Sequence, residues 1–202
     1  MNSVNNVIKI PQPFEYLLDK EFVVFDTETT GLGPTAEICE ICMMDGHTGK
    51  LLLNTLVKPV NPIQEGAMRI HGITEEMVEN APTWDIISQA VRYVAQGKIG
   101  VAYNAQFDIN MLIQSSNARG EIVDPLFNFD GYFCAMQEYS KRAKLYDIMR
   151  NSAKWIKLVV ACEMEKIEVP SNTHRAHTDT YLTRELIAKI LEEIRDENRK
   201  FA

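Results

Sequence analysis

Two carboxylates set two positions apart, Asp26 and Glu28, close the apolar run Phe22-Val23-Val24-Phe25. On an extended strand residues i and i+2 share a face, roughly 7 Å apart along the backbone, so both acids project into one spot. Desolvated anions that close repel, and a divalent cation held between them relieves the repulsion, as does protonation of one of them. A metal site is the first chemistry this pair suggests. The alternative is a strand that has simply reached solvent, with Thr29-Thr30-Gly31 as an ordinary turn.

Two more acids of the same character lie far along the chain. Asp108 opens a predicted helix and shares its face with Met111 and Leu112, while Asp179 shares a helical face with Leu182 and Leu186. Both faces should turn inward. Asp108 could instead serve a helix dipole, and Asp179 could pair with Arg175 or Arg184. A shared cation accounts for all four acids together. His174 precedes Asp179 by five residues, about 140° around a helix, so the two cannot share a face. His174 is therefore expected on the loop entering the helix, after Asn172 and Thr173, where an imidazole could reach over the site. His177, the competing imidazole, is expected on the helix flank.

The elements that must position these groups follow from hydrophobic periodicity. Residues 22–28, 36–45 and 50–58 read as three strands with short links, an antiparallel meander ended by Pro59 and Pro62. Thr83 is placed to cap a helix running to Ala95, and residues 99–103 read as a short buried strand feeding a helix from Phe107 to Asn117. A fifth strand is expected over 127–133, a helix over 134–145, another over 154–165, and a final helix carrying Leu182, Leu186, Ile190 and Ile194. The predicted fold is α/β: a mixed five-stranded sheet, three-strand meander plus parallel strands, flanked by helices. Residues 1–13 read as an N-terminal tail and 14–202 as a single domain.

Composition narrows the function classes. A chain of 202 residues that is 46% hydrophobic can bury one core, and no apolar stretch approaches a membrane span. The polar, Asn-rich start lacks the apolar stretch of a signal peptide, which makes a cytoplasmic location the default expectation. The formal net charge of −7 argues against a passive nucleic-acid coat. It leaves room for an enzyme that meets an anionic substrate through bound cations. Lys141, Arg142, Lys144, Arg150, Lys154 and Lys157 form the one basic stretch, readable as a solvated face or as a phosphate-facing patch. Cys39 and Cys42 have a C-x-x-C spacing, but i and i+3 on a strand face opposite ways, so both are expected to be structural thiols.

Phe25-Asp26-Thr27-Glu28-Thr29-Thr30-Gly31-Leu32, Asn104-Ala105-Gln106-Phe107-Asp108 and His174-Arg175-Ala176-His177-Thr178-Asp179 together resemble the three motifs of the DnaQ-like DEDDh 3′-5′ exonucleases. Ile70-His71-Gly72-Ile73-Thr74 adds a fourth similarity. The related class with a tyrosine base would place Tyr where Arg175 stands. The resemblance implies a ribonuclease-H-like fold and two divalent cations, Mg2+ or Mn2+, held by Asp26, Glu28, Asp108 and Asp179, with His174 as general base. It further implies that Thr27, Thr29, Leu32, His71, Asn104 and Phe107 line the terminal-nucleotide pocket. Two positions depart from the family's habit: Tyr103 stands where His is common, and His177 where an aliphatic residue is common.

The expected activity is hydrolysis at the 3′ end of single-stranded nucleic acid, DNA over RNA, releasing nucleoside 5′-monophosphates. A polymerase proofreading subunit and an RNA-directed 3′-5′ exoribonuclease are the alternatives within the family. Proofreading subunits usually add a C-terminal tether, whereas this sequence stops at Ala202 soon after its last helix, and residues 1–13 could act as a docking tail. A catalytically silent binding module would be expected to have lost one or more acids, and all four are present with the histidine.

Overall fold

The computed structural model describes residues 13–121, 124, 127–147, 152–171 and 174–200. The expected tail lies outside them except for Pro13, as do Arg150 and the helix-entry residues Asn172 and Thr173. A 3-10 turn, Phe14–Asp19, leads into β1 (Phe22–Thr29), which pairs antiparallel with β2 (Ile38–Asp45), itself antiparallel to β3 (Leu51–Leu56). On its other side β1 pairs parallel with β4 (Ile99–Ala102), and β4 with β5 (Gly131–Cys134). The sheet order is β3-β2-β1-β4-β5, a mixed five-stranded sheet of meander plus parallel strands as expected. Parallel neighbours need crossovers, and α3 (Trp84–Ala95) and α4 (Ala105–Ala118) supply them.

β2 is buried along nearly its whole length, so both sheet faces are covered. The long α7 (Ala176–Lys200) packs on β1 and β2, and α4 packs on the sheet from the opposite face. Thr27 reaches α4 while its neighbours Asp26 and Glu28 gather with Asp179 of α7, as period-2 alternation requires. The two cysteines divide in the same way. Cys39 packs with Ile63, Ile73 and Val78, Cys42 with Met44 and Ala176, and both thiols are buried and unbridged.

Several elements differ from expectation for local reasons. Helices α1 (Glu65–His71) and α2 (Glu75–Val78) were not foreseen in the segment after the prolines, although both ends carry signals. Gly72 ends α1 in the left-handed region at φ 73°, and the Thr74 hydroxyl accepts the Met77 N–H at 3.4 Å to start α2. Thr83 does stand at the start of α3, yet its side chain makes no capping hydrogen bond there. The fifth strand begins only at Gly131, because Phe127 and Asn128 adopt φ of 47° and 67° and turn the chain. The helix expected over 134–145 is α5 (Ala135–Arg142). The helix expected from 154 is α6 (Leu158–Met164), since the chain before it pairs Tyr146–Asp147 (β6) with Ser152–Ala153 (β7) in a two-stranded ribbon. Among the described residues no helix is long and apolar enough to cross a membrane.

Candidate active site

β1 delivers its two acids to the end of the sheet where the register slips. Glu28 faces Glu40 across the pair but Thr29 faces Ile38, so a bulge ends regular pairing beside the acids. Asp179, in the first turn of α7, meets them there. Asp26, Glu28 and Asp179 each offer a carboxylate oxygen, and these oxygens lie within 4.8 Å of one another. Three like charges at such spacing, partly withdrawn from water, resist ionisation. Burial, then Asp108 and Asp179, holds the Asp26 carboxyl well above the usual range. Burial, then Asp179 and Glu40, pushes Glu28 to about 8. Asp179 is also raised by burial, partly offset by a hydrogen bond from the His174 backbone and by its interaction with the His174 ring.

Asp108 sits apart from this trio. It is 3% exposed, and its Oδ1 accepts the Thr27 N–H at 3.1 Å and the Thr27 hydroxyl at 2.8 Å. Burial pushes its carboxyl up to about 7 in spite of those two bonds. It remains near enough to be the leading charged neighbour of Asp26. The structure thus brings three of the four predicted acids into one cluster and tethers the fourth beside it through Thr27.

The arginine alternatives for Asp179 do not hold. Arg175 is committed to Glu40, its Nε 3.0 Å and its Nη2 2.5 Å from the two carboxylate oxygens. Arg184 donates to the backbone carbonyls of Gly46 and His47. Glu40 also accepts the Ala176 N–H at 3.0 Å, so one buried carboxylate caps α7 and holds the Arg175 fork at once. Sequence reasoning missed this residue. The only signal was a charge at an otherwise buried position of β2, two residues from Cys42. Immediately before the clamp, His174 takes φ 67°, and its ring is exposed at the mouth of the cluster's loop. His177 is exposed on the first turn of α7, as expected of the flank.

The residues assigned to the nucleotide pocket are placed unevenly. The Thr29 hydroxyl donates to the Gly31 carbonyl at 2.8 Å, which shapes the turn after β1. That turn presents Leu32, 83% exposed. His71 is buried with both ring nitrogens engaged: Nδ1 accepts the Ile73 N–H at 3.0 Å, so Nε2 carries the proton toward the Thr29 carbonyl at 3.2 Å. Burial lowers its pKa, so it is a fixed neutral wall. Asn104 lies exposed at the start of α4, and Phe107 is half-buried against the main core.

A mixed five-stranded sheet with acids at the end of its central strand is the ribonuclease-H-like arrangement. Residues 23–187 match the exonuclease family RNase T, and the chain belongs to that family of nucleases. An uncharacterized exonuclease of Escherichia phage 186, CP81, is 40% identical over 182 residues, spanning 86% of this chain and 90% of that protein. The PolC-type DNA polymerase III of Caldanaerobacter subterraneus subsp. tengcongensis is 30% identical over 185 residues, 90% of this chain but only 12% of that protein. Among solved structures, exonuclease X in complex with 5′ overhanging duplex DNA is 28% identical, covers 85% of this chain and 92% of its own, and superposes with a TM-score of 0.63. An E. coli exonuclease I complex superposes with a TM-score of 0.70 at 18% identity, covering 89% of this chain and 42% of its own, which speaks to the fold alone.

Proposed function

We propose that this chain is a divalent-cation-dependent 3′-5′ exonuclease that removes nucleoside 5′-monophosphates from single-stranded 3′ ends, DNA in preference to RNA. The observation that carries the reading is the trio Asp26, Glu28 and Asp179, three acids gathered within 4.8 Å, while the two arginines nearest Asp179 in sequence are engaged elsewhere. An all-oxygen donor set on a strand and a helix suits a hard cation such as Mg2+ or Mn2+. Asp26, Glu28 and Asp179 would hold it, with Asp108 at the edge of the set completing a place for a second. When bound, two such ions neutralise charge on the attacking and leaving oxygens of an in-line phosphodiester displacement. His174, on its exposed loop, accepts a proton from the attacking water. The water oxygen bonds to phosphorus as the P–O3′ bond breaks, and the departing O3′ takes a proton from solvent to leave a shortened strand with a 3′-hydroxyl. Leu32 and Phe107 flank the terminal base, and His71 and Thr29 hold the turn that carries Leu32.

The DNA preference is supported by exonuclease X, whose structure contains DNA. Digesting matched DNA and RNA oligonucleotides labelled at the 5′ end, with millimolar Mg2+ or Mn2+ and with chelator, tests the whole reading. Mononucleotides should appear only with metal, and a ladder shortening from the 3′ end should precede any release of the label. Absence of product in either metal, or label released first, overturns it. Replacing His174 by Ala should slow the reaction at least a hundredfold. The similarity to part of PolC also favours a proofreading role beside a polymerase. Co-purification with a replicative polymerase would support that second reading.

A further inference from the structure

Tyr103 follows β4 directly, at the same end of the sheet toward which the parallel strand β1 runs on from Val24 to its acids. Its ring is buried and its hydroxyl donates to the Ile156 carbonyl at 2.8 Å. The segment it holds, residues 154–157, is a strap fixed at several points. The Lys154 N–H donates to the Leu145 carbonyl at 2.9 Å, the Ile156 side chain enters the main core, and the Lys157 carbonyl accepts the Ala161 N–H at 2.9 Å to begin α6. Between these anchors Trp155 is 61% exposed, with the exposed Lys154 and Lys157 on either side. Tyr103 also stands at the entry to α4, whose first turn carries Asp108, so the strap hangs from the end of the sheet that bears the acids.

We propose that Trp155 is a stacking platform for a base of the single strand upstream of the scissile nucleotide, that Lys154 and Lys157 contact its phosphates, and that Tyr103 is the positioning residue that holds the platform. An indole is ordinarily among the most buried of side chains, and here it is held outward on an anchored strap between two cations. Base stacking is tolerant of sequence, which suits an enzyme that shortens any strand. In a chain of net charge −7 a local pair of lysines is also where a polyanion would be steered. The same hydrogen bond gives Tyr103 a purpose at a position where the family commonly has histidine.

This inference rests on the exonuclease reading, and the test separates the two. Steady-state kinetics are compared on a ten-residue oligothymidylate and on the p-nitrophenyl ester of thymidine 5′-monophosphate, which has no upstream base. Trp155→Ala should raise KM for the oligonucleotide about tenfold and lower the oligonucleotide-to-ester ratio of kcat/KM by a similar factor. Trp155→Tyr should recover most of that loss, and Tyr103→Phe should move the ratio in the same direction by a smaller factor. A Trp155→Ala protein with an unchanged ratio overturns the proposal, as does one that loses both activities equally. Fluorescence supplies a readout independent of turnover. Trp84 is buried against Ser116, so the emission that the oligonucleotide quenches in wild type but not in Trp155→Phe reports stacking. If the wild type cleaves neither substrate the exonuclease reading fails, and the presence or absence of quenching still decides the platform.

Discussion

Two pairs of acids sit within a few residues of each other on neighbouring strands and are treated in opposite ways. Glu37 and Glu40, at and just before β2, are almost wholly buried, and every one of their carboxylate oxygens is used. Glu37 accepts the Val60 N–H at 2.9 Å, the Asn61 N–H at 2.7 Å and the Asn61 side-chain amide at 2.8 Å, while Glu40 takes the Arg175 fork and the α7 terminus. Asp26 and Glu28 on β1 are instead held well above the usual carboxylate range, by burial first and then by the acids that surround them. Burial alone therefore does not mark a chemical site. What marks it is burial without compensation, since a carboxylate supplied with donors is structural glue and one surrounded by its own kind is poised to take a cation.

The contrast breaks first and most strongly on activity. Asp26→Asn or Glu28→Gln should cut exonuclease turnover by about a thousandfold or more while raising the melting temperature of the metal-free protein, because each removes a charge the fold does not compensate. Loss of activity accompanied by loss of stability would place these acids with Glu37 and Glu40. Turnover measured beside thermal melts in chelator decides it.

The next largest effect is on pH dependence. Glu28 titrates near 8 when folded against 4.5 unfolded, and Asp108 near 7 against 3.8. Between those limits the native state binds more protons than the unfolded one, so the stability these groups contribute is complete below about pH 4 and is lost as pH rises toward 8. The metal-free protein should lose on the order of a few kcal/mol across that window. Because protons and cations compete for the same oxygens, Mn2+ should restore more stability at pH 8 than at pH 6. Urea melts at several pH values, with and without metal, measure both, and a metal-free stability that climbs from pH 5 to 8 would refute the cluster's electrostatics.

On the satisfied side, the size of the effect depends on which partner is removed. Arg175→Ala strands a buried carboxylate and should cost about 3 kcal/mol, whereas Glu40→Gln leaves a half-exposed guanidinium that water can serve and should cost only about 1 to 2 kcal/mol. Both loosen the loop carrying His174, so turnover should fall in the same order. Chemical denaturation of the two variants is the check.

The acid cluster was legible because its parts obey local rules. Period-2 alternation put Asp26 and Glu28 on one face, and helical periodicity turned Asp108 and Asp179 inward beside Met111, Leu112, Leu182 and Leu186, all of which are buried. The meander was legible for the same reason. What stayed hidden depends on contacts between distant segments: Glu40 meets Arg175 across 135 positions, and Tyr103 meets Ile156 across 53. No spacing rule reaches that far. Helices α1 and α2 were missed for a different reason, being too short to show a periodic stripe, with only Gly72 and Thr74 to mark their ends.

Asp108 lies between the two kinds of acid, and the smallest prediction tests that intermediate standing. Its carboxylate accepts from the Thr27 N–H and hydroxyl and from its own backbone, and it is still raised to about 7 by burial. Thr27→Val keeps the backbone donor and the side-chain volume but deletes the hydroxyl. At pH 8, where Asp108 is mostly ionised, the loss should be about 1 kcal/mol, and it should shrink below pH 6, where the protonated carboxyl needs the donor less. With one lowering contact gone, the Asp108 pKa moves further up and the pH midpoint of metal-free stability follows it. Thr27→Ser, which keeps the hydroxyl, should leave that midpoint in place. If Val and Ser behave alike, the Thr27 hydroxyl contributes nothing and Asp108 belongs with the uncompensated acids of β1.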